Sequence, residues 1–402
     1  MSTVKVGAIR GVSASSDAIT VASDGTCTAN ITSVGGGPLS NRNLSINGAD
    51  MMIAQRGTST TGLQNTGGLF TVDRFAHRRS GTFTTAQFKH EQVASGSGLF
   101  QKALKATCTT AEGSAVTGTQ CVMIGHYLEA QDSIAAFGDG TAEAKSFTIS
   151  FYVKASIATT YCLHVSTSHL STNKAYMKQF TVNSAGTWER KTCTIPALTN
   201  SIATVNASAN DTGLRIHWVL DAATGTAAAD SWHTLVGGDF KYPSGLSPSG
   251  FANTLNATFE LSGVQIEAGT VATDLEHKTF GQELQLCKRY YQKSYPYSVA
   301  PGTPNSPAAM IISRYSAEVT NRPDLSTRWE VEMRATPTLT TYRPFSGGAT
   351  QVENFASGIG TVAGNGRSYT VQNLGATGFG GFTLISATSN TIGYHYEVNA
   401  EV

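Results

Sequence analysis

In the stretch KSFTISFYVKAS, Phe147, Ile149, Phe151 and Val153 share one parity, while Thr148, Ser150, Tyr152 and Lys154 share the other. Successive side chains of a strand point to opposite faces, so this period of two predicts a half-buried antiparallel strand. The pattern recurs in YCLHVS, YMKQFTV, WERKTCTI and LRIHWVLD. Several such strands separated by turn residues predict a mainly β chain, an antiparallel β-sandwich or jelly roll. In ATFELSGVQIE the phase changes: Phe259 and Leu261 have one parity, Val264 and Ile266 the other. A β-bulge or sharp bend is expected at Gly263, where glycine tolerates the backbone required.

One segment has helical spacing instead. Phe280, Leu284, Cys287 and Tyr291 recur at intervals of four, three and four, widened by Leu286 and Tyr290 into an apolar stripe. A single amphipathic helix is expected there, beginning after Asp274 or Lys278 and running to about Gln292. Lys288, Arg289 and Lys293 suit its C-terminal dipole, and Pro296 prevents continuation. Beyond it, Trp329, Val331 and Met333 alternate with charged residues, and Ile392, Tyr394, Tyr396 and Val398 alternate in TIGYHYEVNAEV. These strands either form a small domain of their own or complete the sandwich.

The first 40 residues are different in texture, with small apolar residues too few to build a core in one copy. They read as an extended N-terminal arm ordered by pairing with other chains or by anchoring on an assembly, with a loose arm as the other reading. SVGGGPLS serves as the linker. The expected organisation is 1–40 as an anchoring or intertwining arm, 41–275 as the sandwich, 276–295 as the helix and 296–402 as the C-terminal strand region.

Composition changes the picture in three ways. Charged residues make up only 14% of the 402, and 28 Lys plus Arg against 27 Asp plus Glu leave a net charge of +1, so no field draws the chain to nucleic acid or an anionic membrane. A surface so poor in charge suits pairing with other copies or with neutral, hydroxyl-rich ligands, besides being a plain Thr-rich β surface. The N-terminus lacks the apolar core of a signal peptide and no run approaches a membrane span, so synthesis in, and release from, a cytoplasm is expected. The six cysteines show neither CxxC nor Cys/His spacing, so free buried thiols are expected, with no metal and no cofactor.

Candidate chemistry is sparse. No phosphate loop, dinucleotide fingerprint or Gly-x-Ser-x-Gly elbow is present. His126, Glu129 and Asp132 in GHYLEAQD fall at i, i+3 and i+6, a weak metal constellation lacking further placeable ligands. No catalytic residue is assigned, since 27 acidic residues offer too many carboxylate pairs for a glycosidase reading. Flat side chains stack on sugar rings, and Trp232, Tyr242, Tyr295 and Tyr297, in segments that read as loops, are the ligand-binding candidates. Each has packing as its competing reading.

The stretches NRNLSINGADMMIAQRGTS, FTVDRFAHRR, KSFTISFYVKAS, WERKTCTIP, GVQIEAGTVATDLEHKTFGQELQLCKRYYQKSY and EMRATPTLTTY occur in this order. So arranged, residues 41 to 342 and, more loosely, GYHYEVNAEV resemble a family of bacteriophage tail-fibre-like virion proteins common among marine phages. GADMM and TDLEHKTF depart from that family's commoner GAMQ and TPFEHRSY. The resemblance implies a virion structural protein with a carbohydrate-binding-module-like jelly roll. It further implies a homotrimeric tail fibre or spike, attached to other tail proteins through the N-terminal arm and binding host-surface glycan or another receptor. It carries no catalytic motif to transfer. A capsid decoration or head fibre and a glycan-degrading tailspike enzyme remain the alternatives.

Overall fold

The computed structural model describes residues 8–9, 19–21, 23, 27–29, 43–199, 211–235, 240–304, 311–314, 324–355, 365–384 and 391–401. In the N-terminal segment β1 (Ala8–Ile9), β2 (Ile19–Val21) and β3 (Cys27–Ala29) pair as a small antiparallel sheet. The rest of the expected arm, and with it the linker SVGGGPLS, lies outside the described residues.

The alternating segments form strands as the pattern predicts. In chain order they are β4 (Ser59–Leu63), β5 (Ala76–Ser80), β6 (Gln87–Ala94), β7 (Lys102–Thr110) and β8 (Cys121–Glu129), followed by helix α1 (Ala130–Phe137). Then come β9 (Phe147–Ala155), β10 (Thr160–Thr167), β11 (Lys174–Thr181), β12 (Glu189–Ile195), β13 (Thr212–Ala222), β14 (Trp232–Thr234) and β15 (Thr258–Ala268). Two six-stranded sheets result, ordered β14-β11-β10-β13-β8-β5 and β12-β9-β15-β7-β6-β4, with antiparallel neighbours throughout. They enclose one core. Phe147, Ile149, Phe151 and Val153 of β9 join Leu163 and Val165 of β10 and Leu214, Ile216 and Trp218 of β13 in it. Removing each such side chain from water contributes about 1.5–3 kcal/mol. The fold is an antiparallel β-sandwich of the jelly-roll class.

The phase switch in β15 is a bulge. The register against β9 shifts between Ser262 and Gln265, and Gly263 has φ 59°. That extra residue lets Phe259 and Leu261 before it, and Val264 and Ile266 after it, all face the core. Beyond the bulge residues 44–49 take the edge of β15 that β7 leaves, with Leu44 N–H donating to Ile266 O at 2.9 Å and Val264 N–H to Gly48 O at 2.9 Å.

Two helices, not one, occur among the described residues. The eight-residue α1 closes on Gly138 in the left-handed region, where its N–H donates to Ile134 O. It is too short and too rich in Ala for a stripe to show in the sequence. The second helix, α2 (Phe280–Lys288), starts with a capping box in which Thr279 and Gln282 bond each other's backbone. Its inward face differs from the expected stripe. Glu283 and Cys287 are buried, Leu284 is half-buried and Phe280 is exposed. The helix also ends earlier, because Tyr290 and Tyr291 are buried in opposite directions. The Tyr290 hydroxyl donates to Glu129 and that of Tyr291 to Glu397, with Tyr290 in the turn that closes the helix, its N–H on Cys287 O, and Tyr291 opening the strand that follows.

The remaining strands are β16 (Tyr291–Lys293), β17 (Ile311–Arg314), β18 (Asp324–Arg328), β19 (Thr338–Tyr342), β20 (Val352–Asn354), β21 (Asn365–Arg367), β22 (Tyr369–Gln372), β23 (Gly378–Leu384) and β24 (Thr391–Asn399). They pair with one another, β24 bonding β16, β17, β19 and β20 while β18, β23 and β22 make a second sheet. Trp329, Met333, Phe379, Phe382, Ile392, Tyr394, Tyr396 and Val398 fill a core of their own. The strand expected at Trp329–Met333 does not form. Both end residues are buried, but their N–H groups reach Thr377 O and Ala376 O across a loop instead of joining a ladder. Among the described residues no helix is long and apolar enough to cross a membrane.

Candidate functional site

The two sandwich sheets differ in what lies on their outer faces. On β15, the outward Gln265 and Glu267 are overlaid by residues 273–276: Gln265 Nε2 donates to Thr273 Oγ1 at 2.8 Å, and Glu276 N–H to Gln265 Oε1 at 2.8 Å. The outer face of β14-β11-β10-β13-β8-β5 is covered only in part. There Tyr242 packs on Cys121, Met123, Cys162, Met177 and Val219, flanked by Phe240 and Leu246.

Beside this strap lies a groove of about 370 Å³, lined by Arg78 and Arg79 of β5, Met123 and Tyr127 of β8, Thr212, Arg215 and His217 of β13, and Phe240. Strand alternation sets its composition. Val122, Ile124 and Leu128 of β8 and Leu214, Ile216 and Trp218 of β13 face the core, so Met123, Tyr127, Arg215 and His217, of the other parity, face outward. The antiparallel register places Arg215 opposite Tyr127, His217 opposite Gly125 and Arg78 opposite Met123. Gly125 forms the floor; a Cβ there would meet Arg78 Cγ and His217 Cδ2 at 3.2 Å and the Tyr127 hydroxyl at 3.3 Å.

The groove combines flat apolar surface with fixed cations. The Arg78 guanidinium stands 5.0 Å from the centre of the Tyr127 ring, and the Tyr127 hydroxyl lies 3.2 Å from His217 Nε2. Phe240 meets His217 and His164 edge-on, at centroid separations of 4.9 and 5.0 Å. Burial, with the neighbouring His164, Arg78 and Arg215, holds His217 well below the usual imidazole range, so it is neutral. Burial does the same to His164, whose pKa falls to about 3. Neither His217 Nδ1 nor either ring nitrogen of His164 has a hydrogen-bond partner among the described residues. Arg79 donates to Gly81 O at 2.7 Å.

The four aromatic residues expected to bind ligand lie elsewhere. Tyr242 is buried in the strap, its hydroxyl donating to Val219 O and Leu220 O at 3.2 Å, and it borders a second cavity of about 270 Å³ with Met177, His233 and Lys241. Tyr295 is also buried, stacked on His395 at 3.8 Å. Trp232 stands in the short edge strand β14 and not in a loop, packed against the main core with Nε1 donating to Pro196 O at 3.0 Å. Tyr297 is 37% exposed, and its hydroxyl accepts from Ala54 N–H and donates to Met52 O. None of the four lines the groove. The constellation His126, Glu129 and Asp132 is dispersed as well. His126 stacks on Phe75 inside the sandwich and bonds Arg74 O, Glu129 takes Arg289 and Tyr290, and Asp132 is exposed on α1.

No family model and no curated protein matches the chain. Among solved structures it is similar to a family 11 carbohydrate-binding module of a Clostridium thermocellum cellulase, at 15% identity over 54% of this chain and 98% of that one, TM-score 0.26. It is similar to a xylan-binding domain from Paenibacillus barcinonensis, at 11% identity over 57% of this chain and 99% of that one, TM-score 0.24. A third similarity is to the enzymatically active domain of tailspike protein 4 of bacteriophage CBA120, at 8% identity over 56% of this chain and only 21% of that one, TM-score 0.29. At this level of similarity the functional reading rests on the groove itself.

Proposed function

We propose that this chain is a non-enzymatic saccharide-binding component of a phage tail fibre or spike, and that the groove over β5, β8 and β13 is its binding site. The observation that carries the reading is the outward-facing set Arg78, Tyr127, Arg215, His217 and Phe240 on a rigid sheet. An aromatic ring offers the apolar C–H face of a sugar a stacking surface, and the guanidinium and imidazole N–H groups offer its hydroxyls directional partners. The described lining contains no carboxylate, whereas glycoside hydrolysis needs two in fixed opposition. Saccharide holding without cleavage is therefore favoured over the tailspike-enzyme reading.

The virion role is supported by the resemblance of residues 41–342 to tail-fibre-like proteins. In this reading the chain is a homotrimer, joined to the tail through its N-terminal arm, and the groove faces the host. A single shallow sugar site binds in the millimolar range, about 4 kcal/mol, and three sites on one fibre raise avidity by roughly two to four orders of magnitude. The test has two parts. The protein displayed on beads should retain host cells and release no reducing sugar from host glycan, and Tyr127→Ala should abolish retention while its circular dichroism stays that of the folded parent. Gold-labelled antibody on particles should mark the tail; label on the head would replace the tail-fibre assignment with a head fibre.

A further inference from the structure

The outer face of β14-β11-β10-β13-β8-β5 holds a second hollow on the far side of the strap. It is the cavity of about 270 Å³ over β11 and β14, with Met177, Leu235 and Tyr242 as apolar walls and Thr226, His233 and Lys241 as polar ones. Phe240 and Lys241 are consecutive, yet Phe240 lines the groove and Lys241 the cavity, so the strap divides the two.

Strand register sets both hollows on one line. Tyr127, Arg215, Ser166, Ala175 and His233 are successive ladder partners across β8, β13, β10, β11 and β14. Their chain neighbours Leu128, Ile216, Val165, Tyr176 and Trp232 pack in the core, so alternation turns all five to the outer face. Neighbouring strands are about 4.8 Å apart, which puts the backbones of His233 and Tyr127 roughly 19 Å apart along this row, too far for one sugar ring to touch both.

Each hollow also presents a polar atom that the fold leaves without a partner. His217 Nδ1 in the groove and His233 Nδ1 in the cavity are both buried, and neither has a hydrogen bond among the described residues. Such an atom is costly, and a ligand hydroxyl satisfies it whichever tautomer the ring holds, because a hydroxyl both donates and accepts. Apolar walls with a few convergent polar groups are the make-up of a small-ligand pocket. The cavity falls just below the range of about 300–1,000 Å³ typical of drug-sized ligands, which fits one sugar ring.

We propose that the cavity is a second saccharide subsite, and that the protein recognises one glycan chain long enough to cross the strap, with one ring in the groove against Tyr127 and another in the cavity against Met177 and Tyr242. This rests on the saccharide-binding reading of the groove and makes the ligand an oligosaccharide, not a single terminal sugar. Half-buried Phe240, on the strap between the hollows, offers a surface to the unit that crosses. Thr226 and His233 bond the hydroxyls of the ring in the cavity.

The experiment is calorimetric titration of the full chain with size-fractionated oligosaccharides, from disaccharide to octasaccharide, released from the host's surface polysaccharide by mild acid hydrolysis. Once the chain reaches both hollows, affinity should rise about tenfold or more over the shortest fragments, since the second ring binds at high effective concentration. A longer chain also has more registers in the groove alone, and variants of the cavity separate that gain from the proposed one. Thr226→Trp, at an exposed position, fills the cavity and should remove the gain while leaving the shortest fragments unchanged. His233→Phe keeps a flat ring without the nitrogens and should remove part of it, whereas Tyr127→Ala should weaken every length. A gain that Thr226→Trp leaves intact, or no gain at all, would overturn the proposal and leave the groove standing. If no fragment binds at any length, the groove reading and the proposal fall together. Unchanged circular dichroism and melting temperature of the Thr226 variant keep its result independent of folding.

Discussion

Arg289 lays its guanidinium fork on Glu129, with Nε 2.8 Å from Oε1 and Nη2 2.8 Å from Oε2. Glu129 ends β8, the strand that carries Tyr127 into the groove, and Arg289 follows α2, so the pair ties the sandwich to the C-terminal strands. Tyr290 adds its hydroxyl to the same carboxylate, and Arg74 places its guanidinium 3.4 Å over the Tyr290 ring while pairing with Glu401. Burial raises the Glu129 pKa, but the bonds from Arg289 and Tyr290 outweigh it and hold the carboxyl below its ordinary value.

Arg289→Met should therefore destabilise the protein by roughly 3 kcal/mol, because it leaves a carboxylate buried without its counter-charge. Since the folded pKa of Glu129 is depressed, the loss should be full above the usual carboxylate range and shrink as pH falls through it. Urea unfolding of both proteins at pH 7 and pH 3 measures this; equal stability at pH 7 would show that the fork contributes nothing.

Gly263→Ala should cost about 2 kcal/mol or more. The residue sits at φ 59°, and a Cβ would lie 2.6 Å from Tyr152 Cδ2, so backbone strain and a clash add. A melting temperature within a degree of the parent would mean that the bulge relaxes freely.

Asp139 gives a pH signature of the opposite sign. It is 1% exposed, neither carboxylate oxygen has a hydrogen-bond partner among the described residues, and burial raises its pKa to about 7. The folded state then holds a proton that the unfolded chain releases near pH 4, so this group's contribution falls as pH rises from about 4 to 7. Asp139→Asn should be stabilising by up to about 4 kcal/mol at pH 8 and close to neutral at pH 4. Identical differences at both pH values would contradict the buried, partnerless carboxyl.

Cys108, Cys121, Cys162, Cys193 and Cys287 are free and buried, and burial pushes the Cys108 thiol up to about 11 and that of Cys193 to about 12. Iodoacetamide should leave these five unmodified in the native protein at pH 8 and alkylate all six cysteines after denaturation without reductant. Rapid native labelling of Cys162 would place the strap over β10 in an open state.

Much of the sandwich was legible because alternation has one physical cause. Phe147, Ile149, Phe151 and Val153 all reach the core, and the parity switch at Gly263 is a bulge. The α2 stripe was misread because apolar spacing does not reveal that Glu283 turns inward, where its Oε2 accepts the Asn47 N–H. The site was less legible still. The sequence does not show that Tyr242 and Tyr295 are buried, and Arg78, Tyr127, Arg215 and Phe240 come together only through strand order. LRIHWVLD did carry a trace: Arg215 and His217 alternate with Leu214, Ile216 and Trp218, which marks them as outward residues of a buried strand. Nothing in one sequence says that β5, β8 and β13 are neighbours.

The central claim is that saccharide sits on the outer face of β5, β8 and β13. A crystal structure of the chain with a bound host-surface oligosaccharide tests it most directly. The account predicts a sugar ring against Tyr127 and Phe240, with its hydroxyls within hydrogen-bond distance of Arg215 or Arg78. A sugar seated instead at Trp232, at Tyr297 or on the C-terminal strands, with this groove empty, would contradict it.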